Sequence, residues 1–153
     1  MEEGNLAPMS DLSSSTITIE APLAEVTKAL FAIDLYPSWS SAIKSSESVA
    51  TDDQGRITKA KLTIDAGMMK DRVILDYDWS QAPSKLTFSL DDADLLTGMD
   101  GAYLISAIDE DSTQVTYELT VSLSMPIPAM MRQKAEKTTI DLALTQLKAS
   151  LEA

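Results

Sequence analysis

Apolar and polar positions alternate with a period of two through most of this chain. Residues 13–20 place Ile17 and Ile19 on one face and Thr16 and Thr18 on the other, which predicts a half-buried strand. Ala21-Pro22 breaks the alternation. Proline suits a first helical turn because its missing N–H would have no partner there. Leu23, Val26, Leu30 and Ile33 then recur at helical spacing, predicting a short amphipathic helix over residues 23–32 that stops at Asp34. A second short helix is expected over 37–42, beginning at Pro37. Strands follow at 43–53, 57–66, 70–80, 86–90, 102–108 and 113–123. The polar cluster 52–55, Gly67, Ala82-Pro83-Ser84 and the cluster 109–112 supply turns between them, and the acidic run 91–100 reads as a connection. Pro126 and Pro128 close the strand region, since neither fits a central strand. From Pro128 to Leu151 the period becomes helical: Ile140, Leu144, Leu147 and Leu151 form a stripe that Ala135 and Leu142 widen. A helix of about 24 residues is about 36 Å long. It has to lie across a whole sheet to bury that stripe.

Runs of strands with segregated helices indicate an α+β fold. At 153 residues one domain is expected, here 13–153, with a disordered segment over 1–12. Composition narrows the chemistry. The absence of cysteine removes disulfides, thiolate metal sites and a cysteine nucleophile. The absence of histidine removes histidine-ligated metals and the usual neutral-pH general base. No metal or cofactor is expected. Twenty-four acidic against twelve basic residues give a net charge of −12, which argues against nucleic acid and anionic membrane surfaces as partners. Much of the acidity lies between Asp91 and Asp111, expected in connections at one end of the sheet, where a neutral or cationic ligand would enter more readily than an anionic one. Residues 1–15 have no basic or apolar leader pattern and no apolar run spans a bilayer, so a cytoplasmic location without stable membrane insertion is expected. The pattern leaves the oligomeric state open.

The order of elements and the residues at their junctions resemble the START-like helix-grip (SRPBCC) superfamily, and within it the bacterial polyketide cyclase/dehydrase and lipid-transport type. The resemblance covers about residues 13–153. It rests on Ile19-Glu20-Ala21-Pro22 with Val26 at the strand-to-helix junction. It rests also on Asp34-Leu35-Tyr36-Pro37-Ser38-Trp39, similar to the family's D-x-x-x-Y-P-x-W segment with a shortened spacing, and on Met125-Pro126-Ile127-Pro128 before a long terminal helix. It implies a curved antiparallel sheet of about six or seven strands wrapped around the C-terminal helix, two short helices after the first strand, and a cavity between sheet and helix for an apolar or amphipathic ligand.

On that frame the candidate cavity residues are Trp39, Leu75, Tyr77, Trp79, Phe88, Met99, Tyr103 and Tyr117, with Met130 and Met131 from the long helix. Val73, Val115, Leu119 and Leu142 are further inward candidates. For the aromatic residues plain core filling is the competing reading; a tyrosine or tryptophan acts on a ligand only through an O–H or N–H facing the cavity. Flexible methionines suit an adaptable pocket mouth, for which Met68, Met69, Met99, Met125, Met130 and Met131 are candidates, with Gly98-Met99-Asp100-Gly101 as a mobile entrance. Arg72 and Arg132 are candidate polar anchors, Arg72 only if its strand face turns inward. Three functions fit: a binder or carrier of a lipid- or polyketide-like molecule, a cyclase/dehydratase-type enzyme using the same cavity with unassigned catalytic residues, or a protein-interaction module without a small ligand.

Overall fold

The computed structural model describes residues 12–67 and 69–152; the segment expected to be disordered therefore lies outside the described residues up to position 11, as does Met68. The elements are β1 (Ser13–Ile19), α1 (Leu23–Phe31), a 3₁₀ turn η1 (Ile33–Ser38), β2 (Ile43–Thr51), β3 (Ile57–Asp65), β4 (Lys70–Asp78), β5 (Lys85–Ala93), β6 (Leu96–Asp109), β7 (Ser112–Leu123) and α2 (Ala129–Glu152). They form one antiparallel sheet in the order β1-β7-β6-β5-β4-β3-β2. Strands β2 to β7 meander, and β1 closes on the outside of β7. This is a curved seven-stranded sheet gripping a long C-terminal helix.

The alternation read from the sequence sets the faces. Val73, Leu75 and Tyr77 of β4 and Val115, Tyr117, Leu119 and Val121 of β7 are buried on the concave face. Lys59, Asp76 and Asp91 meet on the convex face, where the lysine bridges both carboxylates at 3.3 and 2.7 Å. Gly67 turns β3 into β4 with φ +80°, a conformation that disfavours any residue with a Cβ. Helix α1 starts where Glu25 and Val26 donate to the Pro22 carbonyl, and it buries Val26 and Leu30.

Helix α2 lies along β1 and β7. Ile140, Leu144 and Leu147 are buried, each stabilising the fold by about 1.5–3 kcal/mol. The same face carries Glu136, a fully buried carboxylate four residues before Ile140. It accepts hydrogen bonds from Ser13 Oγ and the Val121 N–H, each at 2.7 Å, and from the Arg132 guanidinium at 3.0 Å. It thereby ties α2 to both strands, and its desolvation is compensated by three donors. Ser41 and Gln146 exchange two 2.8 Å hydrogen bonds, fastening the loop after η1 to the same helix.

Two sequence expectations are corrected. The second short helix lies at 33–38, not 37–42: Leu35 N–H bonds Ala32, and both Trp39 and Ser40 N–H groups bond Tyr36, so Pro37 sits inside the turn rather than opening it. The acidic run 91–100 is mostly strand, with only residues 94–95 as connection, because β5 reaches Ala93 and β6 begins at Leu96. Asp94 and Glu110 consequently lie at opposite ends of β6, and the acidity is spread along the sheet.

Candidate functional site

Between the concave sheet, η1 and α2 lies a void of about 40 Å³. All four tyrosines of the chain line it (Tyr36, Tyr77, Tyr103 and Tyr117), together with Trp39 and Phe88. Thr139 and Ala143, one helical turn apart, are the α2 residues over the void. Their small side chains leave the space that larger ones would fill. Leu75, Met69 and Met99 contribute from β4, the turn before it and β6. No charged residue belongs to this lining among the described residues.

The aromatic rings form a connected array. Tyr103 and Tyr117 stack with centroids 4.4 Å apart, Phe88 lies 5.7 Å from Tyr77 and 6.5 Å from Tyr117, and Tyr36 meets Trp39 edge-on at 5.4 Å. Phe88 occupies its place because Gly101, its direct partner across β5 and β6, has no side chain. A Cβ there would come within 2.2 Å of the ring.

The polar atoms of the lining are few and unevenly satisfied. Tyr36 Oη donates to the Leu30 carbonyl at 2.5 Å, a structural bond that holds η1 to α1. The hydroxyls of the stacked pair Tyr103 and Tyr117 influence one another. Burial pushes all four tyrosines upward. Burial raises Tyr117 to about 12, and the neighbouring Tyr103 hydroxyl offsets part of that rise. At neutral pH these hydroxyls are therefore protonated donors. Trp39 Nε1 is buried with no hydrogen-bond partner among the described residues. An N–H so placed costs about 1–3 kcal/mol of lost hydration until an acceptor reaches it.

Of the sequence-derived candidates, the structure brings together Trp39, Leu75, Tyr77, Phe88, Met99, Tyr103 and Tyr117. Trp79 is buried but outside the lining. Its Nε1 donates to the Ile57 carbonyl at 2.7 Å, its ring packs edge-on against Phe31 at 5.1 Å, and Arg56 covers it at 5.4 Å. Met130 and Met131 are not in the lining either, being 80 % and 54 % exposed on the first turn of α2, and Leu142 lies on the solvent side of that helix. Arg72 points from the convex face, where it donates to Asp94 at 2.8 Å. The 98–101 segment is no loop: Gly98 and Gly101 are paired with Ser122 and Leu119 inside β6 and β7. Sequence reasoning passed over Thr139 and Ala143, one residue before Ile140 and Leu144, and Leu62 and Ile64 of β3. For β3 the available signal is the alternation itself, which sets Leu62 and Ile64 on one face with Ala60.

A second hollow lies at the end of the sheet where α2 begins. It measures about 250 Å³ and is lined largely by apolar residues, including Leu95, Leu123, Ile127 and Met131, with Lys70 and Arg132. Met69 belongs to both linings. No group of three or more metal-ligating side chains occurs among the described residues. None of their helices is long and apolar enough to cross a membrane.

Comparison with known proteins agrees with this architecture. A START superfamily protein from Mycobacterium smegmatis superposes with a TM-score of 0.87 at 22% identity, covering 92% of this chain and 97% of that one. A Thermus thermophilus protein gives 0.78 at 18% identity, covering 92% and 97%. The Zhui aromatase/cyclase of Streptomyces sp. R1128 gives 0.75 at 13% identity, covering 92% and 93%. No curated protein sequence matches the chain. The family model described as polyketide cyclase / dehydrase and lipid transport matches residues 12–152, and the chain belongs to that family.

Proposed function

We propose that this protein binds or carries an apolar small molecule, lipid- or polyketide-like, in the cavity between sheet and α2. The observation that carries this reading is the lining: uncharged, aromatic, and including Trp39, whose buried N–H has no acceptor among the described residues. Burying ligand surface there would contribute about 25 cal/mol per Å², and a ligand carbonyl or hydroxyl oxygen would satisfy Trp39. Pockets for drug-sized ligands measure roughly 300–1,000 Å³, so the 40 Å³ void has to open. Met69 and Met99, with three rotatable bonds each, are the lining residues best able to yield. Family membership and the aromatase/cyclase neighbour keep a catalytic reading in view. The hydroxyls favour binding over base catalysis, because a base working near neutrality needs a pKa near 7 and burial drives every tyrosine of the lining the other way. The tyrosine pair would then act as a donor to a ligand oxygen.

The test is native mass spectrometry of the protein isolated from its own host, followed by organic extraction and identification of what leaves with it. The reading predicts a protein-plus-ligand mass with a neutral apolar body in the extract. Ligand-free protein, with no thermal stabilisation across a lipid and aromatic library, would contradict it.

A further inference from the structure

Exposed apolar side chains gather at one end of the molecule. Met130 is 80 % exposed, Met125 67 %, Leu95 61 % and Met131 54 %. Leu95, Leu123, Ile127 and Met131 surround the groove where α2 begins. Met125 lies between Leu123 and Ile127 in the chain, and Met130 beside Met131. The β5–β6 turn, the end of β7 and the first turn of α2 thus bring their apolar residues to one place. Clustered exposure of this kind marks an interaction surface. Net charge is kept low there. No acidic residue stands between Glu118 and Glu136, in a chain with twenty-four acids, and Arg132 and Lys134 are the only charged residues of that stretch. The charged groups bordering the groove are paired with neighbours: Lys70 stands 4.0 Å from Asp65, Arg72 2.8 Å from Asp94, and Arg132 3.0 Å from Glu136. The backbone also presents few open polar groups. Pro126 and Pro128 carry no N–H, and the Pro128 carbonyl accepts from Met131 at 3.0 Å and from Arg132 at 3.1 Å. Fewer open donors and acceptors lower the cost of leaving water.

We propose that this end of the protein docks reversibly on a neutral lipid surface, with Met125, Met130, Met131 and Leu95 entering the boundary between headgroups and acyl chains. The charge of the chain selects that partner. At −12 per copy, two copies repel one another across this face, and anionic lipid repels the protein as well. A zwitterionic surface imposes neither penalty. The side chains fit it too. Methionine is unbranched, with three rotatable bonds, and suits a disordered acyl layer better than a shape-matched protein face. An apolar face on the first turn of a helix, flanked by apolar loop residues, lies in the interface plane and does not span it. No described helix is long and apolar enough to cross. Docking of this kind does not require the cavity to be occupied.

The test is flotation of the full chain with vesicles of dioleoylphosphatidylcholine, and with vesicles in which about a third of that lipid is replaced by phosphatidylglycerol. Wild-type protein is expected to float with the neutral vesicles and no better with the anionic ones. Met130→Asp and Met125→Asp, made separately, should each weaken partitioning about tenfold. Ile108→Asp is the control: Ile108 is 52 % exposed near the far end of β6, and its replacement should change nothing. The altered positions are largely exposed, so near-ultraviolet circular dichroism and Tm should stay at the wild-type values. Should one methionine variant misfold, the other decides. Wild-type protein that stays with the unbound fraction on neutral vesicles overturns the inference. So does an equal loss for Ile108→Asp, or binding that grows with phosphatidylglycerol and disappears in salt. Self-association without vesicles that Met130→Asp abolishes would make this face an interface between copies, and also overturns it.

Discussion

Gly101 fixes the shape of the cavity. The ring of Phe88 lies where a side chain at position 101 would stand, in contact with Tyr77 and Tyr117. Gly101→Ala forces that ring out of a packed array, and overpacking of this kind costs about 1–3 kcal/mol. Urea denaturation should show the loss, and Phe88→Leu in the same background should recover part of it. An unchanged midpoint for Gly101→Ala would mean that the ring has room to move. The tyrosines give a second prediction. Their folded-state pKa values are raised above the unfolded value of about 10, so above pH 10 the unfolded chain sheds protons that the folded chain keeps. Stability is therefore intact below pH 10 and falls as pH rises towards 12, by up to about 1.4 kcal/mol per pH unit for each tyrosine. Tyrosinate absorbance should appear together with loss of near-ultraviolet circular dichroism. Tyrosinate forming near pH 10 in the folded protein would contradict the buried array.

At the scale of elements, single acidic residues set the corners. Asp71, 8 % exposed, gathers the backbone N–H groups at the β5–β6 turn, with its shortest bond 2.7 Å to Leu96. Asp71→Asn retains one acceptor oxygen and sets an amide donor against those N–H groups. It should cost about 2 kcal/mol or more, with faster amide exchange at Leu95 and Leu96. Protection unchanged at those two amides would remove Asp71 from that role. Asp71 and Glu136 also mark the limit of pattern reading. The alternation of β3, β4 and β7 and the stripe Ile140, Leu144, Leu147 were legible, because a period of two or of 3.6 follows from which face is buried. A buried carboxylate breaks that rule, and its partners, Ser13 and Val121 for Glu136, are distant in sequence. The segment 98–101 failed for the opposite reason: two glycines and an aspartate carry no strand pattern, yet β7 pairs with them residue by residue. In the site, the concave aromatic residues came from the alternation. Thr139 and Ala143 did not, because small residues beside a hydrophobic stripe carry no signal until the sheet stands opposite them.

Over the whole molecule, the charge and the cavity divide the chain between them. Apart from the buried Glu136 and Asp71, acids such as Asp76 and Asp91 lie on the convex face and others in turns, where they pair locally, as Asp52 does with Arg56 at 2.9 Å. The concave side collects the aromatic residues and leaves the lining without charge. With about 40 Å³ open, room for a few waters at most, the site is closed until a ligand displaces side chains. Binding would therefore stabilise the folded state by mass action while working against the packing of the array.

The most direct test is the indole N–H region of the ¹H–¹⁵N correlation spectrum during titration with a neutral apolar ketone, 2-acetylnaphthalene. The chain has two tryptophans, and the structure gives their N–H groups different situations: that of Trp79 is bonded to Ile57, and that of Trp39, a cavity-lining residue, is buried without a partner among the described residues. A ligand in the cavity shifts the Trp39 indole resonance downfield as it gains an acceptor, and leaves that of Trp79 in place. A Trp39 resonance that does not move at saturating ketone would contradict the assignment of this cavity as the binding site.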